Sequence, residues 1–134
     1  MRNRYVSVFS LSLLPLVAQA HGAQAAEITI SDDRTTTQDT ATIDGGAPGD
    51  ILIDATGTVM LPSGTGVHIN SNNSLTNEGI IEIEDSLGSI GVLIDPGVTG
   101  DFTNSGGVYL RSTDNTSWFA NKAGVRLASG TMTG

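Results

Sequence analysis

The chain has 134 residues, with 14 acidic and six basic side chains, no cysteine and a formal net charge of −8. The lack of cysteine excludes a disulfide framework and a thiolate metal site, and the acidic balance argues against nucleic acid or anionic lipid as a partner. Aromatic residues make up only 4% of the chain against 17 glycines, a composition that favours many short strands joined by tight turns.

Residues 1–20 have the pattern of a secretory signal peptide. Arg2 and Arg4 precede an apolar stretch, residues 5–18, and small-x-small cleavage sites follow at residues 18–20 and 23–25. The apolar stretch is shorter than the roughly 20 residues that a membrane-spanning helix needs, which makes a signal anchor the weaker alternative. We therefore expect cleavage after residue 20, or alternatively after residue 25, and an exported chain with four basic and 14 acidic residues.

Beyond residue 26, apolar residues alternate with polar ones in short runs, which indicates β-strands. Residues 75–83 (LTNEGIIEI) and 102–110 (FTNSGGVYL) are near copies, 27 positions apart, and residues 53–61 are a weaker third copy. Each copy has an apolar residue, a glycine four positions later, and apolar residues six and eight positions later. Such a repeat predicts a stacked solenoid rather than a globular sandwich.

A second motif, Gly-Val-x-apolar, lies after each copy and begins at Gly66, Gly91 and Gly124. The two motifs alternate in strict order, while the spacers between them vary from five to fourteen positions, as loops of a solenoid can. We therefore predict three short strands per coil, with alternate side chains pointing inward. The predicted inward pairs are Val59/Leu61, Ile81/Ile83, Val108/Leu110, Val67/Ile69, Val92/Ile94 and Val125/Leu127.

The residues between the inward pairs are predicted to face solvent. They are Met60, Glu82, Tyr109, His68, Leu93 and Arg126. The recurrent glycines Gly57, Gly79 and Gly106 are expected at corners with positive φ. Asn77 and Asn104, just before such corners, are expected to tolerate the left-handed conformation there.

Fainter traces of a leading coil precede these repeats. Ile28/Ile30 and Ala41/Ile43 are interpreted as its first two walls, and residues 44–50 (DGGAPGD) as a turn into the next strand. The whole predicts an all-β, right-handed parallel β-helix of about three to four coils over residues 27–134, with the last coil lacking its final wall. We expect such a truncated segment to associate through its open coil end.

The signal sequence followed by Gly/Thr/Asn-rich coils with T-N-x-G corners resembles the N-terminal part of an autotransporter passenger, the type V secretion family. The resemblance covers residues 27–134 as a repeat style. It implies a secreted or surface-displayed β-helix, at the outer membrane of a Gram-negative bacterium, that serves as a stalk or adhesin scaffold. The alternative is the N-terminal part of a polysaccharide-degrading β-helix enzyme whose catalytic coils lie beyond residue 134.

Candidate catalytic side chains are sparse, and we assign no catalytic, cofactor-binding or metal-binding residue. The spacer aspartates are interpreted as turn caps. They are Asp85, Asp95, Asp101 and Asp114. The basic residues near them are Arg111, Lys122 and Arg126. His68 lacks a histidine partner and is expected to be solvated, and His21 lies at the cleavage site.

The long spacer before Gly124 carries the only tryptophan, Trp118, beside Phe119. Long loops on a rigid scaffold often bind ligands, so these two residues are the candidate contact with a host-surface or cell-surface ligand. The alternative is that one of them folds back over an apolar groove of the solenoid wall.

Overall fold

A computed structural model describes residues 25–84, 88–111 and 123–128 of the chain. The predicted signal peptide, residues 1–20, lies outside them. All regular structure in these three ranges is β-strand, and none of it forms a helix that could span a membrane. The strands are β1 (Ala26–Ile30), β2 (Asp33–Arg34), β3 (Gln38–Asp39), β4 (Gly49–Ile53), β5 (Thr58–Leu61), β6 (Thr65–Ile69), β7 (Leu75–Asn77), β8 (Ile80–Ile83), β9 (Ile90–Ile94), β10 (Phe102–Asn104), β11 (Gly107–Leu110) and β12 (Ala123–Leu127).

The strands form three parallel sheets of four strands each, which we call sheets A, B and C. Sheet A has the order β1-β4-β7-β10, sheet B the order β2-β5-β8-β11, and sheet C the order β3-β6-β9-β12. The chain visits A, B and C in turn, so β1–β3, β4–β6, β7–β9 and β10–β12 are four successive rungs, numbered 1 to 4. From β1 to β10, the first and last strands of sheet A, the chain makes three full turns. The predicted fold class is confirmed as an all-β solenoid of about three turns.

The register between rungs agrees with the predicted columns of inward side chains. Val59 pairs with Ile81 and Ile81 with Val108 on sheet B, and Val67 pairs with Val92 on sheet C. Val59, Val67, Ile81 and Val92 are completely buried. Because equivalent residues repeat at the same strand position, each apolar side chain packs on its counterparts in the rungs beside it, and the core is continuous along the axis.

Rung 1 differs from the prediction at its second wall. Residues Ala41 and Ile43 lie in a turn after β3, and the second and third walls are β2 and β3. Arg34 stands at the register position of Val59 and Gln38 at that of Val67. The prediction was wrong because the inward positions of these strands are polar, so the apolar alternation that identifies strands elsewhere is missing.

The predicted turn at residues 44–50 is shorter than expected, since β4 already begins at Gly49. Asp44 and Ala47 form an isolated antiparallel bridge, and the chain reverses through Gly45 and Gly46, which have φ of 59° and 101°. Positive φ is nearly free of cost for glycine, which explains the Gly-Gly pair at this point.

The recurrent glycines of the first motif do not adopt positive φ, contrary to the prediction. They lie where successive rungs approach most closely. A Cβ placed on Gly57 would stand 2.1 Å from the carbonyl oxygen of Ile30, and one on Gly106 would stand 2.1 Å from that of Gly79. Gly79 is equally confined by the carbonyl oxygen of Gly57, at 2.3 Å. The repeat therefore requires glycine for close stacking of backbone on backbone.

The asparagines before these glycines also have a different role from the predicted one. Among the described residues, none other than glycine has positive φ. Asn77 is fully buried at the register position of Ile53, and its Nδ2 donates to Oδ1 of Asn104 at 2.7 Å and to the carbonyl of Gly107 at 3.2 Å. Asn77 thus links rung 3 to rung 4 from inside the solenoid.

Candidate functional site

The imidazole of His68, on β6, lies on the outer wall of sheet C between two carboxylates. Its Nε2 lies 2.9 Å from Oδ1 of Asp95, and its Nδ1 lies 3.2 Å from Oδ1 of Asp39. Asp39 belongs to rung 1, His68 to rung 2, and Asp95 follows the last strand of rung 3. One side chain therefore connects three successive rungs.

The position of His68 corrects the prediction of a solvated side chain. Only 25% of its side chain is exposed, because Asp39 and Leu93 flank it in register on the neighbouring strands. With a carboxylate at each ring nitrogen, the imidazole cannot bind a metal or accept a proton from a substrate unless it first gives up one of these contacts. The arrangement is suited to holding rungs together.

The outer wall of sheet B contains an ion pair between Glu82, on β8, and Arg111, which follows β11. Nε of Arg111 contacts Oε1 of Glu82, and Nη2 lies 3.4 Å from Oε2. Glu82 was predicted to face solvent, but it is only 8% exposed. Met60 and Tyr109 flank it in register on the adjacent strands, and the guanidinium approaches its carboxylate, so an outward position here is covered by its neighbours.

Beside this ion pair, sheet B presents partly exposed apolar side chains. Met60 and Ile80 are each 39% exposed and Tyr109 is 49% exposed. A Cβ on Gly107 would lie 2.3 Å from Cε2 of Tyr109, so the tyrosine ring folds back flat over the glycine.

Among the described residues, the one carboxyl group whose pKa clearly departs from its ordinary value is that of Asp54, in a turn between sheets A and B. Hydrogen bonds from the Ser31 hydroxyl and from the hydroxyl and backbone N–H of Thr56 lower the pKa of Asp54 from 3.8 to about 2. Ser31 belongs to the preceding rung, and Asp54 also receives the backbone N–H of Gly57 at 3.0 Å. Donors that satisfy the charged form favour it, so this carboxylate is a turn cap that also joins two rungs.

The charged residues considered as catalytic candidates are not assembled into one site within the described part of the chain. Asp95 contacts His68 at sheet C, Arg111 contacts Glu82 at sheet B, and Arg126 lies on the outer face of β12. Asp101 precedes β10, where its carbonyl accepts the backbone N–H of Leu75. Asp85, Asp114, Lys122 and His21 lie outside the described residues.

Over residues 25–84, 88–111 and 123–128, no three His, Cys, Asp or Glu side chains are arranged to hold a metal ion. The candidate ligand-contacting residues Trp118 and Phe119 also fall outside these ranges. The contacts that sequence reasoning missed, His68 with Asp39 and Glu82 with Arg111, join residues 29 positions apart in both cases. A search for opposite charges separated by about one repeat could have found them.

Comparisons with protein-family models, with curated proteins and with solved structures found no match to this chain.

Proposed function

We propose that the chain is a non-enzymatic, exported β-solenoid segment, similar to an autotransporter passenger, that serves as a stalk or adhesin scaffold at the surface of a Gram-negative bacterium. The observation that carries the proposal is the use of its charged side chains. Asp39, His68 and Asp95 form one contact chain across rungs, and Glu82 and Arg111 form another. Ionisable groups that join neighbouring rungs stabilise an extended rod. Rods of this kind bind partners through their faces and loops.

Export is tested by expressing the full chain in a Gram-negative host and sequencing the N-terminus of the recovered product. The expected product lacks residues 1–20 or 1–25, and so begins at His21 or Ala26. A Leu13→Arg variant is the matched control, because a charge within the apolar stretch abolishes a signal sequence without touching the solenoid. Recovery of the intact chain in the inner membrane would contradict the proposal.

The scaffold role is tested by binding of the exported chain to host cells or bacterial surfaces. The proposed contact is the spacer that carries Trp118 and Phe119, since long loops on rigid scaffolds carry binding residues. Trp118→Ala should reduce binding, whereas Tyr109→Ala, which removes the aromatic ring from a strand rather than from the spacer, should not. Depolymerisation of polysaccharides by the purified chain would instead support the enzyme alternative.

A further inference from the structure

Three side chains that join successive rungs on sheet C place two acceptors around one imidazole. Oδ1 of Asp39 lies 3.2 Å from Nδ1 of His68, and Oδ1 of Asp95 lies 2.9 Å from Nε2. An ionised carboxylate has only acceptor oxygens, whereas a neutral imidazole has one N–H donor and one unprotonated nitrogen. Both contacts can therefore be hydrogen bonds at once only when this group, which we call the histidine bridge, holds one proton more than two carboxylates and a neutral imidazole.

In the described part of the chain, the charged groups in contact with the ring of His68 are the two carboxylates of the bridge. Leu93, the register neighbour of His68 on β9, is apolar, and Arg126 is the next residue in that register, on β12. Two strand spacings, about 10 Å, separate Arg126 from His68, which is near the distance over which salt screens a charge. Asn70, which follows β6, is neutral and donates from Nδ2 to Oδ1 of Asp39 at 3.4 Å. An imidazolium is thus the form that the two charged neighbours attract.

A change of pH between about 5 and 8 acts on this group in particular. Histidine changes its charge in that range, whereas aspartate does so near pH 4. The sequence contains two histidines and no cysteine, and the other histidine, His21, precedes the repeats. His68 is therefore the one histidine within residues 27–134, and titration in this range reaches the solenoid through the bridge.

We propose that the histidine bridge is a pH-sensitive lock between rung 1 and the two rungs that follow, closed at mildly acidic pH and loosened at neutral to alkaline pH. The proton that leaves is the one on Nδ1, because Asp95 is the closer carboxylate and keeps the N–H of Nε2. The unprotonated Nδ1 then faces an oxygen of Asp39, and neither atom can donate to the other. β3 thereby loses this side-chain hydrogen bond to β6. The lock does not depend on export or on the scaffold function.

The direction of the effect follows from the number of protons bound. Because the closed bridge binds a proton that the open one does not, its contribution to stability increases as pH falls from about 8. The contribution is complete below about pH 6.5, where histidine in an unfolded chain is itself protonated. It declines again below about pH 4, because protonated carboxyl groups no longer attract the imidazolium. The bridge therefore contributes most between about pH 4.5 and 6.

The strand that the bridge holds on rung 1 is short, so the loss of one contact has a measurable effect there. β3 consists of Gln38 and Asp39, and directly after it the backbone N–H of Thr40 donates to the carbonyl oxygen of His68 at 3.0 Å. Hydrogen exchange at Thr40 therefore reports on the attachment of rung 1 beside the bridge. After correction for the intrinsic effect of pH on exchange, this amide should be better protected at pH 5.5 than at pH 8.0.

Urea unfolding of the full chain at pH 5.5 and pH 8.0 tests the lock through paired variants. His68→Gln cannot titrate in this range. The ratio of its unfolding equilibrium constant to that of the wild type should be about threefold larger at pH 5.5 than at pH 8.0, as expected for a partly exposed ion pair. Asp33→Asn is the matched control, since it removes an exposed carboxylate from rung 1 on sheet B and should give the same ratio at both pH values.

Asp39→Asn distinguishes the lock from a simple structural contact, because the amide of an asparagine can donate to the unprotonated Nδ1 of a neutral imidazole. This variant should be less stable than the wild type at pH 5.5 and at least as stable at pH 8.0. The pH midpoint of the His68 ring signals in proton NMR should also be lower in the variant than in the wild type.

These two measurements on Asp39→Asn decide the question if His68→Gln does not fold. Equal effects of His68→Gln at the two pH values, a loss of stability in Asp39→Asn that is the same at both, or an unchanged midpoint of the His68 signals would each overturn the proposal.

Discussion

Asn77 and Asn104 form a hydrogen-bonded pair between rungs 3 and 4, in which Nδ2 of Asn77 donates to Oδ1 of Asn104 at 2.7 Å. Asn77 is fully buried, and its own Oδ1 is the one buried side-chain polar atom without a hydrogen-bond partner among the described residues. A buried polar group with only part of its bonding capacity used tolerates little further loss.

We therefore expect Asn77→Asp to lower the free energy of unfolding by at least about 2 kcal/mol, because the change removes the Nδ2 donor and places a charge in the core. Asn104→Asp is the control, since this residue is exposed and a charge there remains hydrated. Urea denaturation followed by circular dichroism measures both. Equal losses in the two variants would contradict the buried position of Asn77.

The outer wall of sheet B gives a prediction that differs from a simple inward/outward rule. Ile81→Asp should abolish folding, because it buries an unpaired charge in the continuous core. Glu82→Lys, which alternation alone predicts to be silent, should cost about 1–2 kcal/mol because it breaks the contact with Arg111. Arg126→Glu, on the exposed face of β12, should leave the melting temperature nearly unchanged. Tolerance of all three substitutions would contradict the solenoid register.

The rung contact at Asp54 predicts a specific dependence of stability on pH. The pKa of Asp54 is lowered to about 2 in the folded chain from an ordinary 3.8, so the folded state favours the ionised carboxylate. Its stabilising contribution is complete above the unfolded pKa, decreases as pH falls from about 4, and is lost below about 2. The difference in urea midpoint between wild type and Asp54→Asn should shrink over this window.

Ser31→Ala is the companion variant for the pH experiment, because the Ser31 hydroxyl is the largest cause of the lowered pKa. It retains the carboxylate but removes this donor, so the loss of stability should still begin near pH 4 and should be complete at a higher pH than in the wild type. A midpoint difference between wild type and Asp54→Asn that stays constant from pH 5 to pH 2 would contradict the role of Asp54.

Two kinds of glycine in this chain should respond to substitution for different reasons. Gly79→Ala should cost about 1–3 kcal/mol or more, since its Cβ would stand 2.3 Å from the carbonyl oxygens of Asp54 and Gly57. Gly64 has φ of 95° and open space around its Cβ position, so Gly64→Asn should cost only about 1 kcal/mol. Thermal melting of the two variants distinguishes close stacking from backbone conformation.

A double-mutant cycle tests the contact of His68 with Asp95. We expect a coupling free energy of about 0.5–1 kcal/mol between His68→Ala and Asp95→Ala, modest because both side chains are partly exposed. The cycle of His68→Ala with Arg126→Ala serves as the uncoupled control, since Arg126 lies two strands away from His68 on sheet C. Purely additive losses in the first cycle would contradict a stabilising contact between His68 and Asp95.

The columns at Val59, Ile81 and Val108 were predictable because alternation along a strand and repetition between coils give the same assignment. The strands of rung 1 were not predictable, because Arg34 and Gln38 occupy inward positions and interrupt the apolar alternation there. Ile43, which lies in the following turn, matches the pattern of an inward strand residue. The need for glycine at Gly79 was evident, but its cause was not, since the sequence does not show the distance between neighbouring backbones.

The contacts on the outer walls were hardest to predict. Glu82 looks solvent-facing from alternation, and only the register of sheet B places it between Met60 and Tyr109. His68 has its carboxylate partners on two other rungs, and Asp39 lies on a strand that the sequence pattern did not reveal. Such contacts depend on which residues the register places side by side, and the sequence separation between those residues varies with the length of each spacer.

The polar interior of rung 1 also has a consequence for the order in which the solenoid assembles. Rungs 2 and 3 hold most of the completely buried apolar side chains, whereas rung 1 contributes Ile30 alone to that set. A stacked array is stabilised mainly by contacts between neighbouring rungs, so the rungs with the most apolar contacts are the most stable. We therefore expect rungs 2 and 3 to form first and rung 1 to add late and fray first, with amides that exchange with solvent long before those of β5 and β8.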